Sequence, residues 1–146
     1  EIAYQFAGGQ TPSVMGLPLV KPPWGRITAI DLNSGEQLWM RPNGPGATGD
    51  PRFAPFNLGW IGTSARTGPL LTKTLLFMGE GPHDPRFAKK LLRAYDKATG
   101  AVVAEVPLPD FTHGPPMTYM AGGKQFIVCG MGFRNSHHRL VALALP

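Results

Sequence analysis

The sequence predicts an all-β chain assembled from small antiparallel sheets. One phrase occurs twice. Residues 29–39 read Ala29-Ile30-Asp31-Leu32-Asn33-Ser34-Gly35-Glu36-Gln37-Leu38-Trp39, and residues 94–104 read Ala94-Tyr95-Asp96-Lys97-Ala98-Thr99-Gly100-Ala101-Val102-Val103-Ala104. Both keep Ala-x-Asp-x-x-(Ser/Thr)-Gly in one register, and Leu140-Val141-Ala142-Leu143-Ala144 starts the phrase a third time. A repeated phrase marks a repeated supersecondary unit. Gly (19) and Pro (16) are spread along all 146 residues while 42% of the chain is hydrophobic. That composition suits many short strands with sharp connections. No sustained 3.6-residue apolar stripe is present. The best helix candidate, Pro85–Leu92, is short and basic and reads equally as a loop.

Each copy of the phrase has a short apolar-rich run on both sides of its Asp and Gly. The runs are Arg26–Ile30 and Glu36–Trp39 in the first, Leu91–Tyr95 and Ala101–Val106 in the second. Two such runs joined by a few turn residues predict a β-hairpin. Asp binds backbone amides two residues on and tightens the turn, and Gly supplies the positive φ the turn needs. Trp39 then ends a strand as a large apolar plate suited to packing on a neighbouring sheet.

The remaining elements follow in order. Residues 1–25 carry Gly8-Gly9, Thr11-Pro12 and Pro22-Pro23 and read as an irregular connection. Residues 26–41 are the first hairpin, the end of one sheet. Residues 42–68 are rich in Gly and Pro and read as a long loop carrying Phe56 and Trp60. Pro69–Thr72 and Thr74–Gly79 are short strands, Glu80–Phe87 a loop, and 90–96 with 101–106 the second hairpin. Residues 69–106 thus make one complete four-stranded unit. Residues 116–146 supply three strands of another: Pro116–Met120, Lys124–Cys129 after the Gly122-Gly123 turn, and Arg139–Leu145. Four-stranded antiparallel sheets repeated with loops between them are blades of a β-propeller, so the chain reads as a segment of one such domain.

Size and charge narrow the function. At 146 residues this is one domain's worth of chain. The net charge is +5, from 14 basic and 9 acidic residues. The basic residues are scattered, the densest group being Arg86, Lys89, Lys90 and Arg93, and no basic stripe interleaved with aromatics appears. No nucleic-acid partner is expected. The single cysteine, Cys129, excludes an internal disulfide and a cysteine zinc cluster, and its apolar surroundings predict a buried, inert thiol. No apolar run reaches the ~20 residues that span a bilayer, and no signal peptide is present. Residue 1 is Glu rather than Met, so the chain reads as a processed product or a piece of a longer protein.

Gly16-Leu17-Pro18-Leu19-Val20-Lys21-Pro22-Pro23-Trp24-Gly25-Arg26-Ile27-Thr28-Ala29-Ile30-Asp31 resembles a blade entry of the pyrroloquinoline-quinone (PQQ) dependent dehydrogenases, and is most similar to the glucose-dehydrogenase-like quinoproteins. Pro116–Met120 followed by Gly123–Val128 resembles their last blade, and the repeated phrase resembles their tryptophan docking motif. The resemblance covers nearly the whole chain in order. It implies about two to three blades of an eight-bladed propeller, at its C-terminal part. It implies PQQ near the propeller axis with Ca2+, a carboxylate base, and hydride transfer from an aldose or alcohol to the quinone. The base and calcium ligands are implied on upstream blades, so no residue of this chain takes a catalytic or metal role. The resemblance does place a cofactor-facing stretch at Met131, Gly132, Phe133 and Arg134. It further implies a periplasmic protein, membrane contact only through upstream segments, and as partner the remainder of the propeller or a complementary chain.

Three positions depart from the family pattern. Phe133 stands where a second Gly belongs, Ala104 where Trp is expected, and Ala144 where Asp is expected. Phe133 and Ala104 motivate a second reading, a non-catalytic propeller that binds proteins as a scaffold. Other chemistry is not supported by the residues. His137-His138 cannot both point one way on a strand, and these with His83 and His113 read as surface loop residues. Asp50, Asp84 and Asp110 lie in Pro-rich loops with no sign of pairing. Gly122-Gly123-Lys124 is a turn rather than a phosphate loop. Ser64 lacks the flanking glycines of a nucleophile elbow. Trp24 and Trp60 are expected to pack between sheets rather than stack on a planar cofactor.

Overall fold

A computed structural model describes residues 12–63, 65–80, 88–132 and 137–144. Among these, eleven strands form separate antiparallel sheets of two, two, four and three strands. Ser64, His83, Asp84, Arg86, Phe133, Arg134 and Leu145 lie outside the described residues.

The two copies of the repeated phrase fold alike, with the same backbone bonds closing each turn. Strands β3 (Arg26–Ile30) and β4 (Gln37–Pro42) form the first hairpin; β7 (Leu91–Asp96) and β8 (Val102–Pro107) form the second. In the first turn Asp31 Oδ1 accepts from the Asn33 amide at 2.7 Å, and Gly35 N–H donates to the Asp31 carbonyl at 2.7 Å. In the second Asp96 Oδ1 accepts from Ala98 and Thr99 amides at 3.0 and 2.8 Å, and Gly100 N–H donates to the Asp96 carbonyl at 2.8 Å. Hydrogen bonds from the Thr99 hydroxyl and amide hold the Asp96 carboxyl below its usual range. Both hairpins slip register at the same place, Ala29/Ile30 and Ala94/Tyr95, just before the Asp. The shared Ala-x-Asp therefore encodes a bulge as well as a turn.

Trp39 joins one sheet to the next. Its indole Nε1 donates to the Lys97 carbonyl at 3.0 Å. Its ring covers Gly100, where an added Cβ would come 2.7 Å from Trp39 Cε3. The Trp of one phrase thus docks on the turn of the following one. Ala104, at the matching position of the second copy, carries no ring to repeat this.

The four-stranded sheet runs β5 (Leu70–Leu71), β6 (Leu75–Gly79), β7, β8. Strand alternation sends its side chains to both sides. Leu76, Met78 and Tyr95 pack on Ile27 and Trp39 of the first hairpin. Phe77 and Leu92 pack on Ile127, Cys129, Met131, Val141 and Leu143 of the last sheet. Because β7 is covered on both faces, its first five residues are all buried. The last sheet is β9 (Met117–Ala121), β10 (Lys124–Met131) and β11 (Arg139–Ala144), in order β11-β10-β9. Three sheets, consecutive in the chain, are therefore stacked face to face, as propeller blades are.

The outer layers present exposed apolar side chains, on which no described residue of another sheet packs. Register places Tyr119, Met117 and Leu140 on the far face of the last sheet, opposite Phe126, Val128 and Gly130. Leu140 is 78% exposed, and the Tyr119 and Phe126 rings stack at 5.1 Å. Ile30, Leu38 and Met40 are exposed on the first hairpin.

Two segments hold more structure than the sequence predicts. Within 1–25, strands β1 (Ser13–Val14) and β2 (Leu17–Pro18) pair through Met15 and Gly16, whose φ values of +55° and +83° allow the tightest hairpin turn. Within 42–68, Gly46–Gly49 and Ala54–Phe56 form 3-10 turns. Their Ala47 and Phe53, with Ile61, Leu17 and Trp24, make a third small core. The first turn ends at Asp50, just before Pro51; the second carries Pro55 in its first turn and stops at Asn57, whose φ is +46°. No helix of the described residues is long and apolar enough to cross a membrane. Leu91 and Leu92, the end of the helix candidate, belong to β7.

Cys129 is 1% exposed beside Leu92, Leu108 and Met131, and burial pushes its thiol pKa up. The folded state then holds the thiol proton more tightly than the unfolded chain does. This contribution to stability is complete below the unfolded thiol's value of about 8.5 and is lost as pH rises through the folded value. Cys129→Ala is therefore expected to lose less stability than the parent between pH 8 and 10. Urea midpoints measured across that range check this; parallel curves would contradict it.

Candidate functional face

All the long connections leave the sheets at one end. The connection after β4, that between β6 and β7, that after β8, and that between β10 and β11 emerge together. The tight turns 31–36, 72–74, 97–101 and 122–123 lie at the opposite end. Loops gathered on one edge of a rigid scaffold are the usual carriers of binding and catalysis.

A buried polar hub ties these loops to the sheet. Arg93 sits in the middle of β7 and is completely buried. Its Nη1 forms an ion pair with Glu80 Oε1, also completely buried, and its Nε donates to Glu105 Oε1 at 2.6 Å. Glu80 Oε2 accepts from the Lys89 amide at 2.6 Å. Burial works against the Arg93 charge, but the field of Glu80 and hydrogen bonds to Glu105 and Glu80 outweigh it, so the guanidinium pKa is raised and the group stays cationic. Arg93 and Tyr95 share a face of β7 by alternation. Tyr95 donates to Asn43 Oδ1 at 3.2 Å, and Asn43 Nδ2 donates to the Gly79 carbonyl at 3.2 Å. Burial, first of all, pushes the Tyr95 phenol up.

The loop after β4 closes over the hub. Gly44 has φ +85°, and a Cβ there would overlap Glu80 Oε1 and lie 2.8 Å from Arg93 Nη1. Trp60 lies over the Arg93 guanidinium with 5.0 Å from Cζ to the ring centroid. On the other side Thr112 Oγ1 donates to the Glu80 carbonyl at 3.4 Å, and Thr112 bridges to Met131. One ion network thus anchors parts of three connections.

The sequence does not single out this hub. It groups Arg93 with surface lysines, whereas Arg93 is the most enclosed cation among the described residues; the basic cluster is divided by the sheet. The available signal was a charge at the centre of Leu91-Leu92-Arg93-Ala94-Tyr95, with Glu105 opposite it in the partner strand. Trp60 also departs from expectation. Trp24 and Trp39 do join apolar clusters, but Trp60 joins none and is 45% exposed.

Of the cofactor-facing stretch, Met131 and Gly132 are described. Met131 is 2% exposed and belongs to the core between sheets. Gly132 has φ +124°, and a Cβ there would lie 2.8 Å from His138 Nδ1. Nearby, an open pocket of about 320 Å³ is lined by His113, Gly130, Met131, His138, Arg139 and Leu140. His113, His137 and His138 are exposed. Among the described residues no three His, Cys, Asp or Glu side chains gather in a way that could hold a metal ion.

Residues 1–127 match a family whose description is PQQ, glucose/ethanol/alcohol dehydrogenase, β-propeller domain. The chain belongs to this PQQ-dependent dehydrogenase family. Within it the chain is similar to the glycerol dehydrogenase large subunit of Gluconobacter thailandicus, 35% identical over 142 residues that cover 90% of this chain and 18% of that protein. It is 32% identical over 143 residues to the quinoprotein glucose dehydrogenase of Escherichia coli K12, covering 92% of this chain and 17% of that one. It is 32% identical over 132 residues to the quinate/shikimate dehydrogenase (quinone) of Acinetobacter baylyi, covering 88% and 16%. The chain therefore spans less than a fifth of the length of these relatives.

For a quinoprotein, the fit to the cofactor can be judged at Gly132. Gly132 is buried, and its bare backbone makes room for His138 of this same chain. The contact is internal and is not an opening toward PQQ. The described residues do not fit a calcium site, because no acidic set converges.

Proposed function

We propose that this chain is part of a periplasmic PQQ-dependent dehydrogenase that oxidises an aldose or alcohol. The family match over residues 1–127 carries the reading. In it, PQQ supplies the two-electron acceptor for hydride when bound. The carboxylate base and the calcium ligands belong to other blades. Residues 131–134 would form one wall of the cofactor cavity. The Glu80–Arg93–Glu105 network is not a proton carrier. It is an internal clamp that fixes the loops after β4 and β6 and keeps water out from behind them. The relatives' names divide between a linear substrate, glycerol, and cyclic ones, glucose and quinate.

The full-length protein, supplied with PQQ and Ca2+, is expected to take up the cofactor and reduce an electron-accepting dye with aldoses or alcohols. Cofactor uptake is read by absorbance and turnover by dye bleaching. A protein that takes up no PQQ and instead binds a protein partner without calcium would establish the scaffold reading suggested by Ala104 and Phe133.

A further inference from the structure

We propose that Trp60 is a stacking platform for the pyranose ring of an aldose substrate. This rests on the dehydrogenase reading above and names its substrate class. The observation behind it is the seat of the ring. Trp60 lies outside the apolar clusters that absorb Trp24 and Trp39, and 45% of it is open to solvent. Behind it is Arg93, completely buried and gripped by Glu80 and Glu105. The guanidinium is held in place, so the indole has a fixed support behind it before any ligand arrives. A pre-ordered aromatic surface loses little freedom on binding.

The chemistry selects the occupant. The indole presents an apolar, electron-rich face, and the C–H bonds on one side of a pyranose match it in shape and polarity. A linear polyol or short alcohol has no rigid flat face of that size. A ring acid gains no ion pair from Arg93, because that guanidinium is completely enclosed. The place is suitable as well: Trp60 stands at the end where the long connections gather, and Phe56 and Leu58 of the same connection are exposed beside it in sequence.

The test uses the full-length holoenzyme and the variants Trp60→Ala and Trp60→Phe. The ratio of kcat/KM for D-glucose to that for glycerol is expected to fall about tenfold in Trp60→Ala, chiefly through KM for glucose. Trp60→Phe, which keeps a ring, is expected to retain most of the ratio. Calorimetric titration with methyl β-D-glucopyranoside, which needs neither cofactor nor turnover, should show binding weakened in step by Trp60→Ala. A ratio unchanged in Trp60→Ala overturns the proposal, as does a loss shared equally by both substrates. Should the protein take up no PQQ, the dehydrogenase reading fails and the titration decides: glycoside binding lost in Trp60→Ala upholds the platform, and no glycoside binding by the parent ends it.

Discussion

Arg93→Met is expected to lower the unfolding free energy of the full-length protein by about 3–5 kcal/mol. Removing the guanidinium leaves Glu80 completely buried with only the Lys89 amide for company. The loss is therefore dominated by an uncompensated charge, not by the missing contact itself. Two companion variants separate these terms. Arg93→Met with Glu80→Gln removes the stranded charge and should recover much of the deficit. Arg93→Lys should recover little, since one ammonium cannot satisfy Glu80 and Glu105 with a planar fork and also lie flat beneath Trp60. Chemical denaturation with intrinsic fluorescence measures all three. A loss below about 1 kcal/mol for Arg93→Met, the scale of an exposed ion pair, would show that the hub is not the anchor described.

The 146-residue chain produced by itself is expected to associate with other copies or with a complementary chain. Among the described residues nothing pairs with the outer edge of β3 or of β11. An unpaired edge presents a row of backbone donors and acceptors to any strand that meets it. The sheet faces next to these edges add exposed apolar surface, Ile30 and Leu38 at one end of the stack and Leu140 at the other. The remainder of a propeller would cover both. Light scattering coupled to gel filtration should show mass rising with concentration. A monomer with a sharp, concentration-independent unfolding transition would contradict this.

The parts of the fold that were legible in the sequence are those decided over a few residues. Asp31 and Asp96 reach amides only two or three positions away, and Gly35 and Gly100 supply the positive φ that closes each turn. Such geometry is set by local sterics and hydrogen bonding, so identical letters produced identical bonds. The continuous apolar run Phe126-Ile127-Val128-Cys129 marked β10 as a strand, though the strand runs on to Met131. The short β1–β2 hairpin was missed because one of its two left-handed residues is Met15, a residue type that seldom adopts that conformation.

The site was less legible because its parts come from distant stretches. Arg93 meets Glu80 and Glu105 across strand pairs, while Asn43, Gly44 and Trp60 arrive from a loop about one blade earlier. Nothing local distinguishes a buried arginine from a solvated one; the distinction is made by what covers it. The same holds for Trp60, whose neighbours in sequence would suit a packed core and whose actual support is a guanidinium.

The chain's letters alone established hairpins, their turns, the docking role of Trp39 and the kinship to quinoprotein propellers. These depend on short-range backbone geometry and on a repeated phrase. Stacking of the sheets alone decided that a cation would be sealed inside, that an indole would be left half open above it, and that four long connections would leave the sheets at one edge. Burial and charge compensation are properties of surfaces brought together from far along the chain, and no single stretch of sequence contains them.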